Sequence, residues 1–537
     1  MQKLLLLGDE AIAQGALDAG MSGIYAYPGT PSTEITEYVQ RNKEAIKKDI
    51  HRAWSANEKT SMESALGMSY AGKRAMVCMK HVGLNVAADP FMNSAITGVN
   101  GGLIYTIADD PSMHSSQNEQ DSRIFADFAK IPVLEPSNQQ EAYDMAYTGF
   151  EFSEKYKIPV MLRITTRLAH SRSGVLRKEI KNENLQSIPD DSVQFVLLPS
   201  IARKRFKILL DAQKNFIKES EESIYNKYFD AHDKSKGIIV CGLAYNYLLE
   251  NYPDGKIPFP VLKVSQYPIP KKLIKKITAS CKEIIVLEDG YPFVESKIKN
   301  FLDNDKLVIR GRLDGTIPED GELNPNIVAS ALGINKPALK SIPDLVTGRP
   351  PALCNGCGHT DLFIALKEAL LEYSPGRVFS DIGCYTIAAL PPHNMINSCV
   401  DMGASITMAK GASDAGLIPA VAVIGDSTFS HSGITGLLDV ANEKTPVTVI
   451  ISDNLTTGMT GGQDSSALNK IDDICKSVGV DTEHIKVIVP LKKNHEENVN
   501  ILKKEIQYNG TSVIIARREC IQTLLKKNKN KKKVIKH

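Results

Sequence analysis

V-A-V-I-G-D-S (421–427), then T-F-S-H-S-G-I-T-G-L-L-D-V-A-N-E-K (428–444), then T-P-V-T-V-I-I-S-D-N (445–454) is the stretch that decides the fold. An apolar, β-branched run ends in Gly425-Asp426. Ile434, Leu437, Leu438 and Ala441 then recur at helical spacing. A second apolar run, Val447 to Ile451, ends in Asp453-Asn454. The pattern predicts a strand–helix–strand unit of a parallel α/β sheet.

The chemistry of this unit lies at the carboxyl ends of its strands, where open α/β sheets bind ligands. Asp426 and Asn454 each offer a side-chain oxygen there, and the following loop adds a backbone carbonyl, that of Thr456. Three oxygen donors suit Mg²⁺ or Ca²⁺, with a ligand's phosphates completing the shell. Gly425 is expected to let the backbone approach those phosphates. Gly-Asp alone is also what a plain crossover shows by chance. The specific element is G-D-S followed after 26 residues by Asn, each polar group closing a strand.

A chain of 537 residues predicts three or four domains. Its 42% hydrophobic and 23% charged content belongs to a soluble globular protein. No run reaches the roughly 18 apolar residues of a membrane span. Leu4–Leu7 is too short for a signal sequence and meets Asp9-Glu10 at once, so a cytoplasmic location is expected. The formal net charge of +2 becomes −5 without the seven lysines of the last twelve residues. That tail is read as a disordered, solubilising end rather than a nucleic-acid or membrane contact. Nine scattered cysteines imply reduced thiols.

In chain order, residues 1–190 read as an α/β domain. Its turn I-Y-A-Y-P-G-T-P-S-T-E (24–34) follows a strand, and Trp54–Gly72 reads as a helix. Residues 195–235 read as a helical linker, a bridging pair with an apolar stripe of Phe206, Leu209, Leu210, Phe216, Ile217 and Ile224. Residues 236–310 form a second α/β unit and 311–346 a linker. Residues 347–520 are a third α/β domain carrying the metal motif, and 521–537 are the basic tail.

Three long motifs carry a family resemblance. The first joins M-K-H-V-G-L-N-V-A-A-D-P (79–90) with D-D-P-S-M-H-S-S-Q-N-E-Q-D-S-R (109–123). The second joins P-A-L-C-N-G-C-G-H (351–359) with D-I-G-C-Y-T (381–386). The third is G-D-S-T-F-S-H-S-G-I-T-G-L-L (425–438). Over residues 1 to about 520 the chain resembles the alpha subunit of indolepyruvate:ferredoxin oxidoreductase, and its G-D-S…N pair resembles the thiamine-diphosphate signature. The resemblance implies a multi-domain thiamine-diphosphate fold of parallel sheets. The middle domain would be like the C-terminal domain of transketolase. It further implies thiamine diphosphate, Mg²⁺, a 2-oxoacid (an aryl pyruvate such as indolepyruvate), coenzyme A, ferredoxin and a beta subunit.

One departure is large. The family's alpha subunit ends in a ferredoxin-like module with eight cysteines for two [4Fe–4S] clusters. Here only Cys475 and Cys520 follow Asn454. Iron–sulfur clusters are therefore expected only on a partner. The alternatives are a non-oxidative thiamine-diphosphate decarboxylase or carboligase, or a non-catalytic scaffold.

The site residues follow from the resemblance. Glu58, with Glu63 as rival, is expected to supply the carboxyl beside the cofactor's aminopyrimidine, because the later Gly67 and Gly72 match related enzymes in spacing. Tyr27, Pro28 and Thr30 lie on the turn that meets cofactor and substrate. His81, His114, Gln117 and Arg123 are candidates for holding the substrate's carboxylate or aryl group. Cys354, Gly356, Cys357, Gly358 and His359 are placed around the thiamine pocket, Gly383 and Cys384 beside the thiazolium, and Ser427 beside Asp426. His431 faces the reaction centre or a phosphate. The C-x-x-C of Cys354 and Cys357 alone would also fit zinc or a redox pair. Cys354, Cys357, Cys384 and Cys399 count to four, but at no recognised cluster spacing.

Overall fold

The computed structural model describes residues 2–302, 307–335, 343–348 and 350–534. The chain forms two compact units, Met1–Lys340 and Ser341–His537.

The first unit holds two larger sheets. One has six strands in the order Gln266–Tyr267, Val133–Leu134, Val160–Thr165, Leu103–Asp109, Ala75–Lys80 and Gly23–Ala26. All are parallel except the edge pair Gln266–Tyr267 and Val133–Leu134. The strands Ala75–Lys80, Leu103–Asp109 and Val160–Thr165 are buried along their whole length, which is why they are mostly apolar. The other sheet runs Val308–Arg310, Glu283–Leu287, Gly237–Cys241, Val261–Val264 and Lys227–Phe229. The 1–190 and 236–310 stretches thus each own a sheet inside one unit. Gln266–Tyr267, from the middle stretch, completes the first sheet's edge.

Two elements differ from the sequence reading. The 195–235 stretch holds one helix, Pro199–Glu221, and then the strand Lys227–Phe229, not a helix pair. Leu209 and Phe216, seven residues apart on one face, are buried, while Ile224 lies beyond the helix end and is exposed. The 311–346 stretch is more than a linker. Asn324 caps a helix, Pro325–Leu332, whose Val328 and Leu332 join the first unit's core. Residues 336–342 of that stretch lie outside the described residues.

The second unit is a six-stranded sheet in the order Ser398–Cys399, Val378–Ser380, Ala420–Gly425, Val447–Asp453, Ser512–Arg517 and Ile485–Ile488, parallel throughout. The two motif strands are central neighbours with Gly425 opposite Ser452, so Asp426 and Asn454 emerge at the same sheet edge. The basic tail is not disordered as expected: Ile521–Val534 is a helix. Leucine, glutamine and lysine are good helix formers, and Lys526 Nζ ties it back to the carbonyl of Gly461 at 2.9 Å. Residues 535–537 lie outside the described residues. No described helix is long and apolar enough to cross a membrane.

Candidate active site

In the second unit, Asp426 opens the helical segment after its strand and is 3% exposed. Burial, and then the neighbouring Asp453 carboxylate, push its carboxyl up to about 7. The backbone N–H groups of Ser427 and Thr456 counter part of that rise. Asp426 Oδ2 is buried with no hydrogen-bond partner among the described residues. A buried carboxylate oxygen left in this state is costly unless a cation meets it. Asp453 itself is held by Arg517 at 2.6 Å.

The loop beyond is built to bring the other two expected ligands close. Asn454 Oδ1 accepts from the N–H of Thr456 at 3.1 Å. The Thr456 hydroxyl donates to the carbonyl of Gln463 at 2.9 Å, which fixes the loop that carries the Thr456 carbonyl. Thr457 Oγ1 donates to Ser427 Oγ at 2.9 Å. Asp426, Asn454 and the Thr456 backbone thus meet in one place, and their oxygens are of the kind that Mg²⁺ takes.

A pocket of about 100 Å³ lies alongside, lined among others by Cys354, Cys357, His359, Cys384, Asn454 and Cys520. Cys357 is the N-cap of helix Gly358–Ala369, which places His359 in its first turn. His359 Nδ1 lies 3.2 Å from Cys357 Sγ. Burial pulls His359 down to about 4, so the imidazole is neutral, and its Nε2 is buried without a partner among the described residues. Burial first, then the adjoining thiols of Cys357, Cys520 and Cys354, push Cys384 up to about 11. Gly356 has φ +77°, a backbone that only glycine adopts cheaply in this turn between the two cysteines.

Four thiols thus share one pocket, but they are not the four counted in the sequence. The Cys399 thiol turns away and donates to the Asp381 carbonyl at 3.6 Å. Cys520 takes its place, on the segment that follows strand Ser512–Arg517. No local spacing signals it, because 135 residues separate it from Cys384.

Two glycines near this site pack against one aromatic ring. A Cβ on Gly425 would stand 2.7 Å from the Tyr385 ring, and one on Gly383 2.2 Å from it. Packing against Tyr385 by itself requires glycine at 425. His431 lies in a π-helical turn, Phe429–Gly433, buried, with Nδ1 2.7 Å from Ser432 Oγ. Such single-turn π insertions are frequent at functional sites.

In the first unit, Glu58 begins helix Glu58–Tyr70, is capped by Asn57, and is 4% exposed. A Cβ on Gly83 would stand 2.7 Å from Glu58 Oε1, so glycine there makes room for the carboxyl. The rival Glu63 is exposed and pairs with Lys59, one helical turn away. Lys80, which the sequence did not single out, lies beside Glu58. Burial lowers its amine to about 8, and the Asp110 and Glu58 carboxylates limit the fall. Lys80 Nζ donates to the carbonyl of Ser115 at 2.8 Å, and Ser115 Oγ to the carbonyl of Thr30 at 3.2 Å. The 109–116 loop is thus tied to the Tyr27–Thr30 turn, in which Tyr27 and Pro28 are buried and Thr30 half-buried.

The substrate-holding candidates divide. His81 is buried, with Nε2 3.1 Å from the Asn118 carbonyl. His114 is exposed and pairs with Glu322 at 3.3 Å, and Gln117 is exposed. Arg123 is fully buried and neutralised inside the protein, by Asp121, by Glu288 at 3.1 Å and by Glu135 at 3.7 Å. That guanidinium is a structural lock and not a hook for a substrate carboxylate.

Residues 14–199 match the family described as pyruvate flavodoxin/ferredoxin oxidoreductase, thiamine diphosphate-binding. Residues 381–516 match the C-terminal thiamine pyrophosphate-binding domain of thiamine pyrophosphate enzymes. Indolepyruvate oxidoreductase subunit IorA of Archaeoglobus fulgidus is 38% identical over 97% of this chain and 86% of its own. The chain belongs to this family. It is an oxidoreductase subunit that binds thiamine diphosphate. The Pyrococcus horikoshii IorA is 37% identical over the same shares of the two chains. Among solved structures, a 2-oxoglutarate:ferredoxin oxidoreductase from Magnetococcus marinus, with 2-oxoglutarate, coenzyme A and succinyl-CoA bound, superposes with a TM-score of 0.51 at 16% identity. The match covers 62% of this chain and 65% of that one, and it bears on the fold alone.

Proposed function

We propose that the chain is the alpha subunit of an enzyme that oxidatively decarboxylates an aryl pyruvate, such as indolepyruvate, to an acyl-CoA and passes the electrons to ferredoxin. It would work in the cytoplasm with a beta subunit. The observation that carries this reading is the buried, unpartnered Oδ2 of Asp426 beside Asn454 and Thr456, in a chain that shares 38% identity with an indolepyruvate oxidoreductase subunit.

Thiamine diphosphate supplies the nucleophilic carbon and the electron sink that loss of CO₂ from a 2-oxoacid requires. The protein's own part is holding and proton handling. Asp426, Asn454 and the Thr456 carbonyl would hold Mg²⁺ and, through it, the diphosphate. Glu58, buried at a helix start, would hold the proton shared with N1′ of the aminopyrimidine. Lys80 and Ser115 brace the Thr30 turn. The neutral His359 keeps a ring nitrogen available in the thiol pocket.

The thiols offer a cluster site on this chain beside the clusters expected on a partner. Cys354, Cys357, Cys384 and Cys520 line one pocket and, once deprotonated, would supply the four thiolates that a [4Fe–4S] cluster takes. Further clusters are assigned to a partner. A pocket of this kind favours the oxidative reaction over a non-oxidative decarboxylase.

The test is an anaerobic assay of the chain together with its beta subunit. Indolepyruvate should reduce ferredoxin only when coenzyme A and thiamine diphosphate are both present. Release of the free aldehyde with no reduction of ferredoxin would sink the proposal.

A further inference from the structure

Beyond that reaction, a second constellation lies within the first unit. Asp9 sits in the first turn of helix Gly8–Asp18, Glu34 in the first turn of helix Thr33–Arg41, and His170 closes helix Thr166–Ala169. Each offers one ligand atom, and the three atoms lie within 4.8 Å of one another. His170 Nε2 is 3.5 Å from Glu34 Oε2. We propose that Asp9, Glu34 and His170 form a binding site for a divalent first-row metal ion.

The independent sign of a missing ligand is Asp9. Its side chain is fully buried, and neither Oδ1 nor Oδ2 has a hydrogen-bond partner among the described residues. Structures rarely leave two buried carboxylate oxygens in this state, because their lost hydration is not replaced. Glu34 Oε2 is also buried, and its contact with His170 Nε2, at 3.5 Å, is long for a hydrogen bond. The adjacent Glu10 does not relieve Asp9. It carries the same charge and is already engaged, by the N–H of Leu7 at 3.0 Å and by Arg41 at 3.0 Å. A divalent cation would give the buried Asp9 oxygens a partner and would share Glu34 with His170.

The geometry suits a small ion. Ligand atoms about 2.1 Å from a metal are separated by about 3.0–3.5 Å along the edges of an octahedron or tetrahedron. The Glu34–His170 separation already has that length, and Asp9 needs only a small approach. One imidazole with two carboxylates suits Mn²⁺, Fe²⁺ or Zn²⁺ better than Ca²⁺. The ligands are also independently anchored. Three separate helices supply them, so the metal would staple three helix ends that follow different strands.

The test uses Mn²⁺ as the probe. It is paramagnetic, and a poor fit for thiolates. The full chain, stripped with a chelator and kept free of thiamine diphosphate, is titrated with Mn²⁺ while the free ion is followed by electron paramagnetic resonance. One bound Mn²⁺ per chain is expected. Asp426→Ala and Cys520→Ser should retain it. Glu34→Gln and His170→Ala, whose side chains are partly exposed and replaceable without unfolding, should weaken it at least tenfold, as should Asp9→Asn. The proposal is overturned by no binding, by wild-type affinity in Glu34→Gln and His170→Ala, or by loss of binding in Asp426→Ala or Cys520→Ser.

Discussion

Single carboxylates divide the labour in this protein, and burial decides which does what. Glu58 and Glu63 lie on one helix, yet only Glu58 is sunk beside Gly83 while Glu63 pairs with Lys59 in solvent. Glu58→Gln keeps the shape and most hydrogen bonds but cannot hold the proton. Thiamine diphosphate binding, measured by calorimetry, should persist while turnover falls about 10²-fold or more. Glu63→Gln should turn over at close to the wild-type rate. An equal loss from both would return the assignment to open contest. Asp426→Ala removes a hard ligand and should abolish Mg²⁺-dependent cofactor binding in the same calorimeter. Lys80 adds a pH test. Its folded-state pKa of about 8 lies below the ordinary lysine value of 10.5. Above pH 8 the folded amine has lost a proton that the unfolded chain keeps until about 10.5, so the unfolded state binds more protons and stability rises with pH there. Between pH 8 and 10.5 the denaturation midpoint of the wild type should climb relative to Lys80→Met. A flat difference would mean that Lys80 is not desolvated.

Elements owe their fit to close contacts that no propensity records. The strand ending at Gly425 and the turn at Gly383 both press on the ring of Tyr385. Because the obstacle at 425 is an aromatic ring held in a packed core, Gly425→Ala should cost about 1–3 kcal/mol. A second substitution, Tyr385→Leu, should recover much of that, since the two sites share one contact and are not additive. Urea unfolding of the single and double variants measures it. Full additivity would show that the Tyr385 ring is not the obstacle.

At the scale of the whole molecule, distant parts of the sequence meet. The second unit draws Cys354 and Cys357 from its start, Cys384 from the loop after a strand, and Cys520 from beyond its last strand. The chain reconstituted anaerobically with iron and sulfide should hold about four irons, and Cys520→Ser should lose them. Cys399→Ser should not, because that thiol is bonded to the Asp381 carbonyl. Iron analysis that reverses these two outcomes would restore the four cysteines counted along the sequence. In the first unit, Arg123 and Arg163 bind Asp121, Asp109, Glu135 and Glu288 in a fully buried network that joins its two sheets. Truncating one partner there leaves an uncompensated charge.

The sequence by itself determined the α/β class, the neighbouring parallel strands of the G-D-S…N unit and the polar groups at their ends. Those features are local, since strand period, breaker residues and the length of one crossover are all written within about thirty residues. It also put Glu58 on a helix but began that helix at Trp54, whereas the chain begins it at Glu58 under the Asn57 cap. What it left open was non-local. Nothing near Cys520 tells it from Cys399, because the choice depends on which loop the sheet order brings over the pocket. Nothing near Arg123 marks it as a buried lock, because its partners Glu135 and Glu288 lie in other elements. The glycine at 425 was legible as a glycine, but its reason, the Tyr385 ring, exists only after folding. Asp9, Glu34 and His170 are ordinary helix-end residues in the sequence, and they become a candidate cation site only because three helix ends converge. Side-chain chemistry was readable wherever backbone periodicity set the neighbours. Tertiary packing decided the rest, since it alone sets which charges lose their water and which partners they find.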